Sequence, residues 1–267
     1  MPAIDIARLK TQAAVLVEKF DQPAAFLKGL HEILDLYADR TLRLSAAAPA
    51  SILPAYRTPP PVLRQIEMEL APLAFAFPEQ SMALTDALWK DGYLETRLLA
   101  AAILGRINPS MPLLLERVTA WVSRVRDNQV RRALLMASLA RLRRESPARF
   151  LELMRGWFDP ESPKMWGNAI YALIPLLEDA GYENLPPIYN LLTPVMKALP
   201  ASLQHETADL INALYAVSPV ETTHFIRQAL TSAPPQVMPI YRRILPSLPA
   251  VIQPMVLELV RQKSTRV

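Results

Sequence analysis

The residues best suited to bind a charged partner lie in one segment near the middle of the chain. Residues 122–149, VSRVRDNQVRRALLMASLARLRRESPAR, contain eight arginines, no lysine and two acids. From residue 117 to residue 155 there are ten arginines and three acids, a local charge of 10 − 3 = +7, whereas the whole chain carries +4. A local basic excess is typical of anion binding. Arginine suits phosphate in particular, because its guanidinium can donate two parallel hydrogen bonds.

Helix dipoles explain part of this charge without a ligand. Over residues 128–145 the sequence predicts a helix that is apolar on every side in its middle and carries arginines at both ends. Cations stabilise the last turn of a helix, whereas in the first turn they are disfavoured by roughly 0.3–1 kcal/mol each. Arg131 and Arg132 lie in the first turn, so we expect an anion beside them. Asp127, four residues before Arg131, is the expected partner of Arg131.

Four of the arginines are candidates for contacts with a nucleic acid. On a regular helix Arg132 and Arg143 point in nearly the same direction and lie about 16 Å apart, so both could follow a phosphate backbone. Arg124 and Arg126 come just before this helix. These four side chains are therefore predicted to contact the phosphates of duplex DNA. A solvated charged surface, or a surface for an acidic protein partner, would use the same residues.

Composition argues against several kinds of chemistry. The chain has no cysteine, which excludes thiolate catalysis and every metal site built on cysteine. Its three histidines are scattered, and its six glycines form no phosphate-binding loop, so we expect neither a metal nor a cofactor. The apolar run at 98–104 is far shorter than the roughly 20 residues of a membrane helix. The charged amino terminus does not resemble a signal peptide, and we expect a cytoplasmic protein.

The distribution of proline predicts an all-α fold built from helical hairpins. There are 26 prolines, and they separate segments rich in Leu, Ala, Arg and Glu. Proline is favoured at the first position of a helix, and helices are expected to begin at Asn108-Pro109, Ser146-Pro147, Leu185-Pro186, Ser218-Pro219 and Leu248-Pro249. These prolines follow one another at 38, 39, 33 and 30 residues, and we take each as the start of the second helix of an antiparallel pair. Such a period predicts an α-solenoid.

The same pattern suggests how the chain is organised. Residues 1–43 are predicted to form an N-terminal helical pair. Residues 44–61, which contain five prolines, form a connection, and residues 62–267 form the array of repeats. The three parts are expected to make one continuous domain.

Three segments resemble known helical repeat families. DNQVRRALLMASLARL, at 127–142, is similar to the HEAT repeat. LTDALWKDGYLETRLLAAAILGRI, at 84–107, and YRTPPPVLRQI, at 56–66, resemble the AlkD-like DNA alkylation repair proteins. The resemblance extends over about residues 50–180, and it rests on the order and spacing of the three segments.

This resemblance implies a basic concave face for duplex DNA and a glycosylase pocket of aromatic residues, with one Asp and one Arg. In this chain the place of the catalytic Asp falls on Arg131 or Arg132, and the place of the Arg falls near Asn168, beside Trp166. Asp127 is a weak candidate for the missing carboxylate. We therefore expect Trp166 to line the pocket, and DNA to be bound without efficient glycosylase activity. The alternatives are a protein-binding HEAT scaffold and an active alkylpurine DNA glycosylase whose pocket residues align differently.

Overall fold

The computed structural model describes residues 5–39, 51–161, 163–179 and 181–264. Within these ranges every regular element is a helix and no strand occurs, which confirms the predicted all-α class. The helices pack against their neighbours, in an α-solenoid type of fold. They fall into two compact units, which divide between Ser146 and Pro147. None of the described helices combines the length and the apolar character needed to cross a membrane.

The helices of the first unit form two layers. One layer consists of α1, Ile6–Val17, α3, Pro60–Ala76, α5, Leu94–Leu104, and a broken helix made of α7, Asn128–Ala133, a π-helical turn, Leu134–Ser138, and α8, Ala140–Glu145. The other consists of α2, Pro23–Leu36, α4, Pro78–Asp91, and α6, Leu114–Arg124. In the first layer α1 packs on α3, α3 on α5, and α5 on the broken helix. The predicted connection lies partly outside the described residues, at 44–50, and the predicted division of the chain stays a prediction.

An apolar core lies between the two layers. Buried side chains of α2, α3 and α5 meet in it, among them Phe26, Ile66 and Leu99. At its edge the indole rings of Trp89 and Trp121 stack in parallel, with their centroids 4.1 Å apart, and so connect α4 to α6. Burial of each large apolar side chain stabilises the fold by roughly 1.5–3 kcal/mol. The core therefore fixes the positions of α5 and its neighbours.

Three of the predicted helix starts are confirmed. Helices begin at Pro147, Pro186 and Pro219. Proline lacks the backbone N–H that would find no partner in the first turn of a helix, and its φ angle already suits the helix. Three helices of the first unit, α2, α3 and α4, also begin with proline.

The predicted start at Pro109 is wrong. The side chain of Asn108 accepts a hydrogen bond from the backbone N–H two residues further on, at 2.9 Å, and this makes a tight turn instead of a helix. Leu113 has a left-handed backbone with φ 63°, which a continuous right-handed helix cannot contain. For these reasons α6 begins only at Leu114.

The predicted start at Pro249 is also wrong. A single turn follows Pro249, and the last helix begins at Gln253. This start places Pro254 at the second helical position, where its missing N–H has no consequence. In a helix that began at Pro249 the same proline would remove a hydrogen bond from the helix interior.

The second unit consists of seven α-helices among the described residues. They are α9, Pro147–Trp157, α10, Trp166–Leu177, α11, Pro186–Lys197, α12, Gln204–Val217, α13, Pro219–Ser232, α14, Met238–Ile244, and α15, Gln253–Ser264. Helices α9, α11, α13 and α15 pack in one row, and α10, α12 and α14 pack in another. The fully buried Tyr241 connects the rows, because its hydroxyl donates to the carbonyl of Met196 at 2.6 Å. Burial raises the pKa of Tyr241, so the phenol stays protonated.

Candidate nucleic-acid interface

The helix that carries the predicted arginines is interrupted by a π-helical turn. In Leu134–Ser138 the backbone hydrogen bonds span five residues instead of four, which widens the helix and turns carbonyls out of the regular ladder. Arg143 donates from Nη1 to the carbonyl of Leu135 at 2.7 Å and from Nη2 to that of Met136 at 2.5 Å. Its guanidinium therefore satisfies the turn that precedes it. Burial lowers the pKa of Arg143 to about 10, so the group stays charged at neutral pH.

A close contact with α5 coincides with this π-helical turn. Gly105, at the end of α5, lies so near the broken helix that a Cβ atom there would be 2.1 Å from the carbonyl oxygen of Ala137. The hydroxyl of Ser138 donates to the carbonyl of Ala101 at 2.9 Å, from the broken helix to α5. Glycine is required at position 105 because any side chain would meet backbone there.

The π-helical turn changes which arginines share a face. The extra residue in its wide turn delays the rotation, so that the exposed Arg132, the half-buried Met136 and the exposed Ala140 and Arg144 follow one another at intervals of four residues. Arg143 is instead buried, at 7% exposed. The expected alignment of Arg132 with Arg143 assumed a regular helix, whereas in the structure Arg143 is buried and the adjacent Arg144 is exposed.

The other arginines that were predicted to contact phosphate have exposed side chains. Arg124 ends α6, Arg126 lies in the short segment before α7, and both side chains are open to solvent, as is Arg132. Among the described residues no acid forms an ion pair with these three. Together with Arg144 they are called the arginine row below.

Asp127 does not form the expected pair with Arg131. The structure describes both side chains, and no ion pair joins them. Instead Oδ1 of Asp127 accepts from the backbone N–H groups of residues 129 and 130, at 2.9 and 3.0 Å, and so caps α7. Oδ2 accepts from the hydroxyl of Ser51 at 2.6 Å and from the N–H of Ile52 at 3.0 Å. Burial raises the pKa of this carboxyl, but the four hydrogen bonds outweigh burial and hold it below its ordinary value.

Trp166, the predicted aromatic residue of a pocket, is buried in the second unit. Its side chain is 3% exposed, and its indole N–H donates to the carbonyl of Asp159 at 3.0 Å. It therefore anchors the start of α10. Asn168, two residues further on, donates to the sulfur of Met165 at 3.6 Å.

A cavity of about 330 Å³ opens beside the arginine row. Small residues of α3, α5 and the broken helix line its floor: Ala71, Ala102, Gly105, Ala137 and Ala140. Phe75 forms one wall and is 65% exposed. This cavity is called the Phe75 pocket below.

Charged side chains form the rim of the Phe75 pocket. Arg106 pairs with Glu67 at 2.8 Å. Arg141 donates from Nε to Glu145 at 2.8 Å and from Nη1 to the carbonyl of Arg106 at 2.7 Å. Its guanidinium lies over the ring of Phe75, 4.8 Å from the centroid.

Comparison with known proteins assigns the chain to a family. Residues 54–238 match the family described as DNA alkylation repair enzyme. The chain belongs to the DNA alkylation repair enzyme family. The match contains the arginine row and the Phe75 pocket, and it confirms the resemblance seen in the sequence. Searches of curated proteins and of solved structures found no match.

In this DNA alkylation repair family member the sequence reasoning missed a cluster of acidic and aromatic residues. His31 lies between the hydroxyl of Tyr56, 2.9 Å from Nδ1, and Oδ1 of Asp91, 2.9 Å from Nε2. The ring of Tyr93 stacks on that of Tyr56, with centroids 5.1 Å apart, and the buried Glu95 accepts from a backbone N–H at residue 58. These residues come from three distant segments, so no spacing in the sequence indicates the cluster.

The field of this acidic cluster does not suit phosphate. Burial raises the pKa of Tyr56, and the nearby Tyr93, Asp35, Asp91 and Glu95 raise it further. The carboxylates among them, Asp35, Asp91 and Glu95, repel the phosphates of DNA. Among the residues described, no group of three or more His, Asp or Glu side chains is arranged to hold a metal ion.

The position of Asp127 in this DNA alkylation repair family member leads to a prediction about stability. Asp127→Asn should lower the free energy of unfolding by about 2 kcal/mol, because an amide N–H₂ would face the donors at residues 51 and 52 and leave them unsatisfied. Asn caps helices as well as Asp does, so the control Asp5→Asn, at the exposed cap of α1, should change stability little. Urea unfolding of the two variants measures the difference.

The pH dependence of this effect has a defined sign. The folded-state pKa of Asp127 lies below its unfolded value, so its contribution is present above about pH 4 and is lost as the pH falls through the folded pKa. Wild type and Asp127→Asn should therefore differ most near neutral pH and converge in acid. A difference that does not depend on pH would contradict this role.

Proposed function

We propose that this protein binds duplex DNA through phosphates that contact the arginine row, without preference for sequence and without efficient glycosylase activity. The observation that carries the proposal is that exposed arginines lack acidic partners, whereas the nearby acidic side chains already have partners. Arg124, Arg126 and Arg132 are exposed and unpaired among the described residues. The nearby acids are occupied, because Asp127 caps α7 and Glu145 pairs with Arg141.

The geometry of the broken helix supports a contact along a phosphate backbone. Arg132 and Arg144 are both exposed and lie twelve residues apart along it; a regular α-helix of that length would rise roughly 18 Å, and the π-helical turn shortens this. Two exposed guanidinium groups at that separation can reach phosphates in successive parts of one groove. Contacts to phosphate carry no information about sequence, so the proposed binding is not specific for sequence.

The salt dependence of binding tests the proposal. If the four side chains of the arginine row neutralise about four phosphates, log K should fall with log salt at a slope of roughly −3 to −4. Arg132→Ala with Arg144→Ala should reduce that slope by about two. Fluorescence anisotropy of a labelled duplex between about 50 and 200 mM salt measures both values.

A matched control separates the arginine row from net charge alone. Arg242 and Arg243 are exposed on α14, and changing both to Ala removes the same charge from the chain. This control should leave the slope within about 0.5 of wild type. An equal fall in both double variants, or a flat salt dependence in wild type, would contradict the proposal.

A protein-binding role is the second candidate function. Met68, Phe75 and Phe77 are exposed, at 58%, 65% and 48%, and exposed large apolar side chains can mark protein interfaces. An interface of this kind would bind by apolar burial and would depend little on salt. The salt titration therefore distinguishes the two functions.

A further inference from the structure

The Phe75 pocket has a size that suits one small ligand. Its volume of about 330 Å³ lies at the lower end of the range for small-molecule sites, about 300–1,000 Å³. A duplex cannot enter a space of this size, whereas a single nucleotide that has left the base stack can. The pocket adjoins the arginine row, because Arg144 belongs to both.

The floor of the pocket depends on the same contact that accompanies the π-helical turn. Gly105 touches the carbonyl of Ala137, and Ala102 and Ala140 flank that contact on the two helices. Because the alanine side chains end at Cβ and glycine has none, the space above these helices stays open. The floor is therefore held by a backbone contact and does not need a ligand to keep its shape.

The wall of the pocket presents an aromatic ring that is open to solvent. Phe75 is 65% exposed, whereas Phe26 and Phe150 are fully buried. The guanidinium of Arg141 lies 4.8 Å from the centroid of the Phe75 ring, and two hydrogen bonds of 2.7 and 2.8 Å hold that guanidinium in place. The guanidinium covers one face of the ring, and an aromatic ring that is otherwise open to solvent is a platform on which a base can stack.

The rim of the pocket favours an anion. Three arginines and two glutamates line it, a net charge of 3 − 2 = +1. Arg106 and Arg141 are held by short contacts of 2.8 Å with glutamates, whereas Arg144 is 3.6 Å from Glu145 and 72% exposed. An exposed pair at that distance is worth little. Arg144 can therefore turn to a phosphate at small cost.

We propose that the Phe75 pocket takes one unstacked nucleotide, with its base against Phe75 and its phosphate on Arg144. The inference rests on the proposed function, since the nucleotide would come from DNA held along the arginine row. A free nucleoside monophosphate has the same chemistry and would occupy the same groups. The pocket thus gives the protein a preference for DNA in which a base has left the helix.

The test compares two duplexes that differ by one nucleotide. One carries a single unpaired 2-aminopurine deoxynucleotide, and the other is fully paired. Base stacking on an aromatic side chain is worth enough to predict about tenfold tighter binding of the bulged duplex. The fluorescence of 2-aminopurine should fall on binding, because stacking quenches it.

Two variants and a control locate the effect. Phe75→Ala removes the stacking ring, and Ala140→Leu fills the pocket from an exposed helix position. With either change the two duplexes should bind with about equal affinity. The salt slope measured with the paired duplex should stay that of wild type. Met68→Ala removes exposed apolar surface from the same helix outside the pocket and should keep the preference.

The outcomes separate this inference from the proposed function. Equal affinity of wild type for both duplexes, with the salt slope intact, overturns the inference alone, as does a bulge preference that survives in both pocket variants. Failure of the paired duplex to bind overturns the proposed function. Titration with deoxyadenosine monophosphate distinguishes the sources: millimolar binding that Phe75→Ala abolishes supports the pocket as a site for free nucleotide as well.

Discussion

Arg143→Met should lower the free energy of unfolding by about 3 kcal/mol, whereas Arg144→Met should change it by less than about 0.5 kcal/mol. The two arginines are adjacent, and on a regular helix both would lie in its last turn. In the structure Arg143 is buried against the carbonyls of Leu135 and Met136, while Arg144 is exposed.

The size of the Arg143 effect follows from the two carbonyls. A buried acceptor left without a donor costs roughly 1–3 kcal/mol, and methionine fills similar space but donates nothing. Loss of the buried charge offsets part of this cost. Urea unfolding followed by tryptophan fluorescence measures both variants.

For DNA binding the order of the two effects should be reversed, so that the Arg144 variant changes more than the Arg143 variant. Arg144→Met should reduce the salt slope by about one, and folded Arg143→Met should keep it. Equal stability of the two variants would contradict the structural role of Arg143. If the salt slope were smaller in Arg143→Met, Arg143 would contact phosphate, as the sequence predicted.

The sequence predicted those features of the fold that depend on local chemistry. Pro147, Pro186 and Pro219 begin helices because a missing N–H has the same consequence in any surroundings. The burial of Arg143 could not be predicted, because it follows from a π-helical turn at a contact with Gly105, which is distant in the chain. The prediction placed successive residues 100° apart, as in a regular helix. It could therefore not anticipate a distortion that accompanies a contact with a distant residue.

The candidate site was predictable only in part, for the same reason. Exposure of Arg124, Arg126 and Arg132 follows from their charge. The engagement of Asp127 by Ser51 and Ile52 depends on a segment far away in the chain. The Phe75 pocket lies between three helices. The alanines of its floor are common in any helix, so the sequence does not mark them as pocket residues.

Release of alkylated bases should be no faster with this protein than without it over several hours. Excision of an N7- or N3-methylated purine develops positive charge on the sugar, which an anionic carboxylate stabilises. Asp127 is 3% exposed, and both of its oxygens already accept hydrogen bonds. It cannot reach a sugar without breaking the cap of α7.

The arginines around Asp127 would oppose the reaction. At an effective dielectric of about 20 and a separation of about 4 Å, a cation repels the developing charge by about 4 kcal/mol. Since each 1.4 kcal/mol is a factor of ten in rate, one such contact slows release by about a thousandfold. Arginines that contact DNA as proposed would therefore not promote departure of the base.

The assay uses duplex DNA with one methylated purine and counts abasic sites against a control without protein. Release above the control that disappears in Asp127→Asn, but not in Asp5→Asn, would assign the reaction to Asp127. The acidic cluster provides the other test, because Asp91 Oδ2 and Glu95 Oε2 are buried and have no hydrogen-bond partner among the described residues. Release that depends on Glu95→Gln would move the chemistry to that cluster. If wild type and every variant give the rate of the control without protein, the protein does not cleave the glycosidic bond of this DNA.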